Sequence, residues 1–90
     1  MNDELIEIEL WAAHKLIPSG IVQTPDGYDE AYFLECMGKG QFLFAMEELD
    51  GVIVENKSPG KEFWIHLIEA AKLMNHGHIE RYRSILQSTT

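Results

Sequence analysis

The segment 62–75, EFWIHLIEAAKLMN, constrains the fold more than any other part of the chain. Its polar residues Glu62, His66, Glu69 and Lys72 recur every three or four positions, and almost every residue between them is apolar. This spacing predicts a helix with a narrow polar stripe and a wide apolar surface. We therefore expect this helix to lie at the centre of the core, with the other elements packed around it.

A second helix is predicted near the amino end, where acidic residues come first and basic residues last, as the helix dipole favours. Pro18 marks its end, because proline cannot continue a helix. One apolar face is formed at helical spacing by Ile6, Leu10, Ala13 and Ile17.

The middle of the chain, 31–55, reads as a small antiparallel sheet. Two aromatic-rich runs, 32–34 and 42–44, flank the glycine-rich turn 38–40 and predict a β-hairpin. The β-branched run 52–54 follows an Asp-Gly turn and predicts a third strand, 52–55. The alternative is helical: Asp29 can cap a short helix that ends at Gly38, and 42–49 contains good helix formers.

The carboxyl end is predicted to form either two helices or one. Gly77 is typical of a helix terminator, which favours two helices. However, apolar residues continue at helical spacing on both sides of Gly77, so a single helix over 62–87 is the alternative. A rod of that length would be about 39 Å long, more than a small domain covers. Its distal half would then pair with a second copy of the chain, through Ile79, Tyr82 and Leu86.

These elements predict a single domain, 1–90, of the α+β class. An N-terminal helix would be followed by a sheet of two or three strands over about 31–55, with one or two C-terminal helices packed on it. An all-α domain is the alternative.

The charge distribution indicates the class of partner. The net charge is −8, and residues 1–50 contain eleven acidic and two basic residues, whereas 51–90 contain four acidic and five basic. An acidic surface disfavours direct binding to nucleic acid and suits a basic protein partner. The predicted contact residues are Glu4, Glu7, Asp26, Asp29, Glu30, Glu47, Glu48 and Asp50.

The sequence contains no recognisable catalytic, cofactor or metal motif. His76 and His78 flank a glycine, but two ligands fall short of the three or four that zinc requires. We therefore predict no cofactor and no metal site. An enzyme that uses His66 or His76 as a base with an acidic neighbour is a less favoured alternative.

The sequence predicts a cytoplasmic protein. Cys36 is the only cysteine, so no internal disulfide can form. The amino end, MNDELIEIE, does not resemble a signal peptide, and no apolar run approaches the roughly 20 residues that span a bilayer. The leading functional hypothesis is a non-enzymatic regulator, inhibitor or adaptor that binds a basic protein, with a homodimeric interaction protein as the alternative.

Overall fold

The computed structural model describes residues 3–89, and within that range it contains helices and no strand. The helices are α1 (Asp3–Lys15), α2 (Glu30–Gly38), α3 (Phe42–Asp50), α4 (Val52–Glu55), α5 (Lys61–Leu73) and α6 (Ile79–Ser88). The predicted α+β class, with its sheet over 31–55, is therefore wrong, and the all-α alternative is correct.

Helix α5 is the central helix, as its sequence predicts. It packs against α1, α3 and α6, and it contributes the largest fully buried side chain of the described residues, Trp64. Full burial of one large apolar side chain is worth roughly 1.5–3 kcal/mol, so this helix supplies a large part of the core. Its buried residues are Phe63, Trp64, Leu67, Ile68, Ala70 and Ala71.

Helix α1 also follows its sequence. Ile6, Leu10 and Ala13 are buried on one face, which packs on α5 and α3. The helix ends at Lys15, shortly before Pro18, where the missing N–H and the fixed φ of proline oppose further helix.

The two predicted hairpin strands are helices α2 and α3. Phe33, Cys36 and Met37 are buried at the i, i+3, i+4 spacing of a helix face. The side chain of Asp29 accepts a hydrogen bond from the backbone N–H of Ala31 (3.2 Å) and so caps the start of α2. The aromatic content of this segment favoured strands, but burial follows the helical period.

The glycines at 38–40 join two helices instead of forming a hairpin turn. Gly40 has a φ of +71°, in the left-handed region that glycine adopts without steric cost. Just after it, the N–H of Gln41 donates to the carbonyl of Cys36 at 2.9 Å, which satisfies one of the carbonyls left free at the end of α2. The chain then turns directly into α3.

The predicted third strand, 52–55, is the single helical turn α4. Its position is fixed by close packing of the preceding Gly51 on Gly27: a Cβ at Gly51 would lie 2.5 Å from the carbonyl oxygen of Gly27. The side chain of Asn56 then bonds both backbone groups of Val22, each at 2.8 Å. These tertiary contacts override the β-propensity of Val52–Val54, which depends strongly on context.

The C-terminal segment forms two helices, so the single rod over 62–87 is wrong. Asn75 adopts a φ of +51°, and the N–H of His76 donates to the carbonyl of Ala71 at 3.0 Å. This left-handed residue with a backward hydrogen bond is a common helix ending. The sequence predicted Gly77 as the terminator, but the turn is made two residues earlier.

Candidate functional site

The eight predicted contact acids lie in three parts of the structure. Glu4 and Glu7 are exposed on α1, Asp26 is exposed in the loop before α2, and the others belong to the α2 start and to α3. Five of the eight accept hydrogen bonds within the chain: Asp29, Glu30, Glu47, Glu48 and Asp50. The eight acids therefore do not form one continuous surface. Those at the start of α2 and on α3 lie close together, whereas Glu4 and Glu7 lie apart from them on α1.

Two of these acids meet where α2 and α3 pack together. Glu48 Oε2 accepts the backbone N–H of Asp29 at 2.6 Å. With Pro25 and Tyr32, both carboxylates line a cleft of about 270 Å³. We call these four residues the acidic notch. Tyr32 is 42% exposed, and Asp29 and Glu48 are half-buried, so the aromatic ring is accessible to a partner beside two partly accessible acidic residues.

The acidic notch lacks a compensating cation. Neither Asp29 nor Glu48 forms an ion pair with any residue of the range 3–89. Partial burial raises the pKa of Glu48, and the negative charges of Asp29 and Asp50 raise it further, against the lowering effect of the Asp29 N–H bond. A cation placed in the notch would relieve this like-charge repulsion.

A second exposed aromatic residue extends the same surface. Phe44 is 51% exposed and lies one helical turn before Glu48, so both project from the same face of α3. Aromatic side chains are enriched at protein interfaces, so the exposed ring of Phe44 adds a contact surface beside the acidic notch.

Asp50, in contrast, is used inside the chain. Its Oδ2 accepts hydrogen bonds from Tyr82 Oη at 2.5 Å and from Arg81 Nη2 at 2.7 Å, and its side chain is only 12% exposed. This predicted contact residue instead holds α6 against α3.

Three of the four histidines are hydrogen-bonded to a glutamate. His66 Nδ1 lies 3.0 Å from Glu9 Oε1, which is the arrangement of a base held by an orienting carboxylate. His66 does not line the acidic notch, and the enzymatic alternative stays a prediction. The other pairs are His14 with Glu30 (2.9 Å) and His78 with Glu47 (2.8 Å).

The pair formed by His78 and Glu47 has a third member. One ligand atom each from Glu47, His76 and His78 lie within 4.8 Å of one another, and all three residues are half-buried. The sequence showed the two histidines, but it gave no indication that a carboxylate from α3, about thirty residues earlier, lies beside them. These are the described residues best suited to hold a metal ion.

The residues predicted for self-association lie on α6, which packs on α5 of its own chain. Tyr82 is fully buried, so its side chain is not available to a second copy in this fold. Ile79 and Leu86 are partly buried against the core. The homodimer hypothesis therefore rests on the outer parts of α6 and remains a prediction.

The acidic notch contains one aromatic residue, Tyr32, that is not among the predicted contact residues. Tyr32 and the neighbouring Phe44 belong to the two aromatic-rich runs, 32–34 and 42–44, that predicted the hairpin. Read at helical period, the segments containing them have Phe33, Cys36 and Met37 on the inside, which places Tyr32 outside. The exposed position of Tyr32 could therefore have been predicted from the sequence if 30–38 had been interpreted as a helix.

Comparison of the chain with protein-family models, with curated proteins and with solved structures gave no match. Within residues 3–89, every helix is too short or too polar to span a bilayer.

Proposed function

We propose that this chain is a protein-binding module, acting as a regulator, inhibitor or adaptor, and that it binds a basic protein partner through the acidic notch. The observation that carries the proposal is the pair of carboxylates, Asp29 and Glu48, that share a cleft with the exposed ring of Tyr32. The cytoplasmic location predicted from the sequence is part of this proposal.

The chemistry of the acidic notch suits an arginine side chain. A guanidinium group can donate two parallel hydrogen bonds to a carboxylate and can stack on an aromatic ring. Here the ring of Tyr32 and the carboxylates of Asp29 and Glu48 line one cleft, so a single arginine can use both interactions. Phe44 would add apolar contact beside it.

The net charge of −8 supports the same class of partner. A protein with this charge attracts a basic partner over distances of about one Debye length, roughly 8 Å at physiological ionic strength. Such attraction increases the association rate, whereas the local contacts at the notch determine which partner stays bound.

The proposal is tested with variants that remove one charge from the notch and keep the fold. Asp29→Asn retains a good helix N-cap, and Glu48→Gln retains an acceptor for the Asp29 N–H. Glu62→Gln is the matched control, because it changes the net charge equally at an exposed position of α5. Each tag-purified protein is incubated with host lysate at physiological salt, and retained proteins are identified by mass spectrometry after size exclusion.

The expected result is a basic protein that is retained by the wild type and by Glu62→Gln. Its affinity, measured with the purified partner by calorimetry, should fall at least tenfold for both notch variants, about 1.4 kcal/mol. Equal affinity of the notch variants and the control would reject the acidic notch as the site. The absence of any retained basic protein would reject the proposed function.

Self-association through 62–87 is a second candidate, favoured by one observation. A cleft of about 610 Å³ lies beside α6, where Ile85 and Ile53 of α4 line it together with polar residues: Lys57, Ser58, Ser84, Ser88 and Thr89. This cleft between α6 and the segment 53–58, with two isoleucines among polar side chains, can accept a side chain from a second copy.

Sedimentation of the wild type and Leu86→Glu tests this candidate. Leu86 is only partly buried, so the variant leaves the central core in place, unlike a change at the buried Tyr82. A dimer in the wild type that dissociates in Leu86→Glu would support the candidate, and a monomeric wild type at high concentration would refute it.

A further inference from the structure

Three potential metal ligands converge where the α5–α6 turn meets α3. His76 and His78 lie in the turn, with ring centroids 4.4 Å apart, and Glu47 reaches them from the middle of α3. His78 Nε2 and Glu47 Oε2 are 2.8 Å apart, and one ligand atom from each of the three residues lies within 4.8 Å of the others.

The backbone of the turn holds both imidazoles on the same side. Asn75 takes the left-handed conformation with a φ of +51°, and the N–H of His78 lies 3.3 Å from Nδ1 of His76, its hydrogen-bond acceptor. The ring centroid of His78 also lies 5.6 Å from the ring centroid of the buried Tyr82. The ring of His78 is therefore held in place before any ligand binds, which lowers the entropic cost of binding. The ring of His76 must give up the hydrogen bond at Nδ1 to ligate an ion, because a neutral imidazole has one free lone pair and here Nδ1 uses it as the acceptor.

The donor set matches one class of metal ion. Two neutral imidazoles and one carboxylate are borderline ligands that suit zinc, and zinc sites with three protein ligands keep a fourth position for water. With bonds of about 2.0–2.1 Å, a tetrahedral zinc ion holds its ligand atoms roughly 3.4 Å apart. The separations here, from 2.8 Å to within 4.8 Å, reach that value through small side-chain rotations.

We propose that Glu47, His76 and His78 form a zinc-binding site with water in the fourth position. The ion replaces the proton shared by His78 and Glu47, and it ties the α5–α6 turn to α3. The site is independent of the acidic notch, since it uses none of the four notch residues.

The binding test uses tag-free protein that has been stripped with a chelator. Co²⁺ is added as a spectroscopic probe, because a tetrahedral site gives it intense visible absorption, and Zn²⁺ is then titrated to displace it. The test variants are His76→Gln and Glu47→Gln. His66→Gln is the matched control, since it also removes a histidine that is hydrogen-bonded to a glutamate, Glu9, at 3.0 Å.

We expect the wild type and His66→Gln to bind one equivalent of Co²⁺ with tetrahedral absorption that Zn²⁺ abolishes. Both test variants should lose at least tenfold in affinity. Zn²⁺ should also raise the Tm of the wild type and of the control, because a ligand that binds only the folded state stabilises it, and it should not raise the Tm of His76→Gln.

Two results would overturn the assignment. One is an equal loss of affinity in His66→Gln and His76→Gln, which would mean that metal binds histidines without regard to this geometry. The other is an unchanged wild-type Tm at saturating Zn²⁺. The Tm of each metal-free variant is measured first, so that a loss of binding is read only from folded protein.

Discussion

The hydroxyl of Tyr82 donates a hydrogen bond of 2.5 Å to Oδ2 of Asp50, and this contact joins α6 to α3. Tyr82 is fully buried. Burial raises its pKa, as does the adjacent carboxylate of Asp50, so the phenol keeps its proton and remains a donor at neutral pH. Arg81 binds the same carboxylate oxygen at 2.7 Å.

Tyr82→Phe should therefore reduce the free energy of unfolding by about 1.5–3 kcal/mol, the usual value for a hydrogen bond to a charged group. The carboxylate of Asp50 would keep only Arg81, while the packing of the ring is preserved. Urea denaturation at neutral pH measures the loss. Tyr32→Phe is the control, since this exposed hydroxyl should contribute less than about 0.5 kcal/mol. Equal stability of Tyr82→Phe and the wild type would contradict the role of this contact.

Three helices, α1, α5 and α6, could be predicted from the sequence, because each has an apolar face at helical spacing. In α1 and α5 the apolar residues repeat every three or four positions, and long-range contacts only strengthen a preference that is already local. Over 31–55 the local signals conflicted: aromatic and β-branched residues favoured strands, whereas the spacing of Phe33, Cys36 and Met37 favoured a helix. The structure buries Phe33, Cys36 and Met37 together on one helix face, so the segment folds as a helix and not as a strand.

The two candidate sites were hidden for a different reason. Asp29 and Glu48, and likewise Glu47 and His78, are brought together by the packing of helices that are far apart in sequence. One sequence without an established fold carries no information about such pairs. The sequence predicted that acids would be exposed, but it could not indicate which of them share a cleft.

The contact between Gly27 and Gly51 predicts a strong effect of a single methyl group. A Cβ at position 51 would lie 2.5 Å from the backbone oxygen of Gly27, and neither backbone can move without displacing α4 or the preceding loop. Gly51→Ala should therefore cost about 1–3 kcal/mol of stability, the range for overpacking. Thermal unfolding measures this cost.

Gly38→Ala provides the control for Gly51→Ala. A Cβ at Gly38 meets no atom within 4 Å, and the residue belongs to α2. This substitution should leave stability unchanged or increase it by up to about 1 kcal/mol, because alanine favours the helix. If both variants were equally stable, the close approach of residues 27 and 51 would not be present in solution.

The break between α5 and α6 predicts opposite effects at two positions. Asn75 has a positive φ, which costs other non-glycine residues about 1–2 kcal/mol, so Asn75→Ala should destabilise the chain by about 1 kcal/mol. Gly77 is not left-handed, and a Cβ there meets nothing within 4 Å. Gly77→Ala should be neutral or stabilising. Chemical denaturation of both variants checks this, and the reverse order would place the turn at Gly77.

The raised pKa of Glu48 predicts that stability depends on pH at the acidic notch. The folded chain holds this proton more tightly than the unfolded chain, whose pKa is near the ordinary value of 4.5. Stability contributed by the protonated form is therefore complete below pH 4.5 and is lost as the pH rises through the folded pKa. At neutral pH the ionised carboxylate is destabilising, because it is partly buried beside Asp29 and Asp50.

Glu48→Gln removes that charge and keeps an acceptor for the N–H of Asp29. Relative to the wild type, the variant should gain about 0.5 kcal/mol of stability between pH 4.5 and pH 7.5, within the range of partly exposed sites. Denaturation at both pH values measures the difference, and Glu62→Gln, on the exposed side of α5, should show no such gain. A gain in stability together with the loss of partner binding would indicate that the charge at Glu48 is retained for recognition at the expense of the fold. A stability difference that stays constant or shrinks as the pH rises would show that Glu48 is not held among like charges.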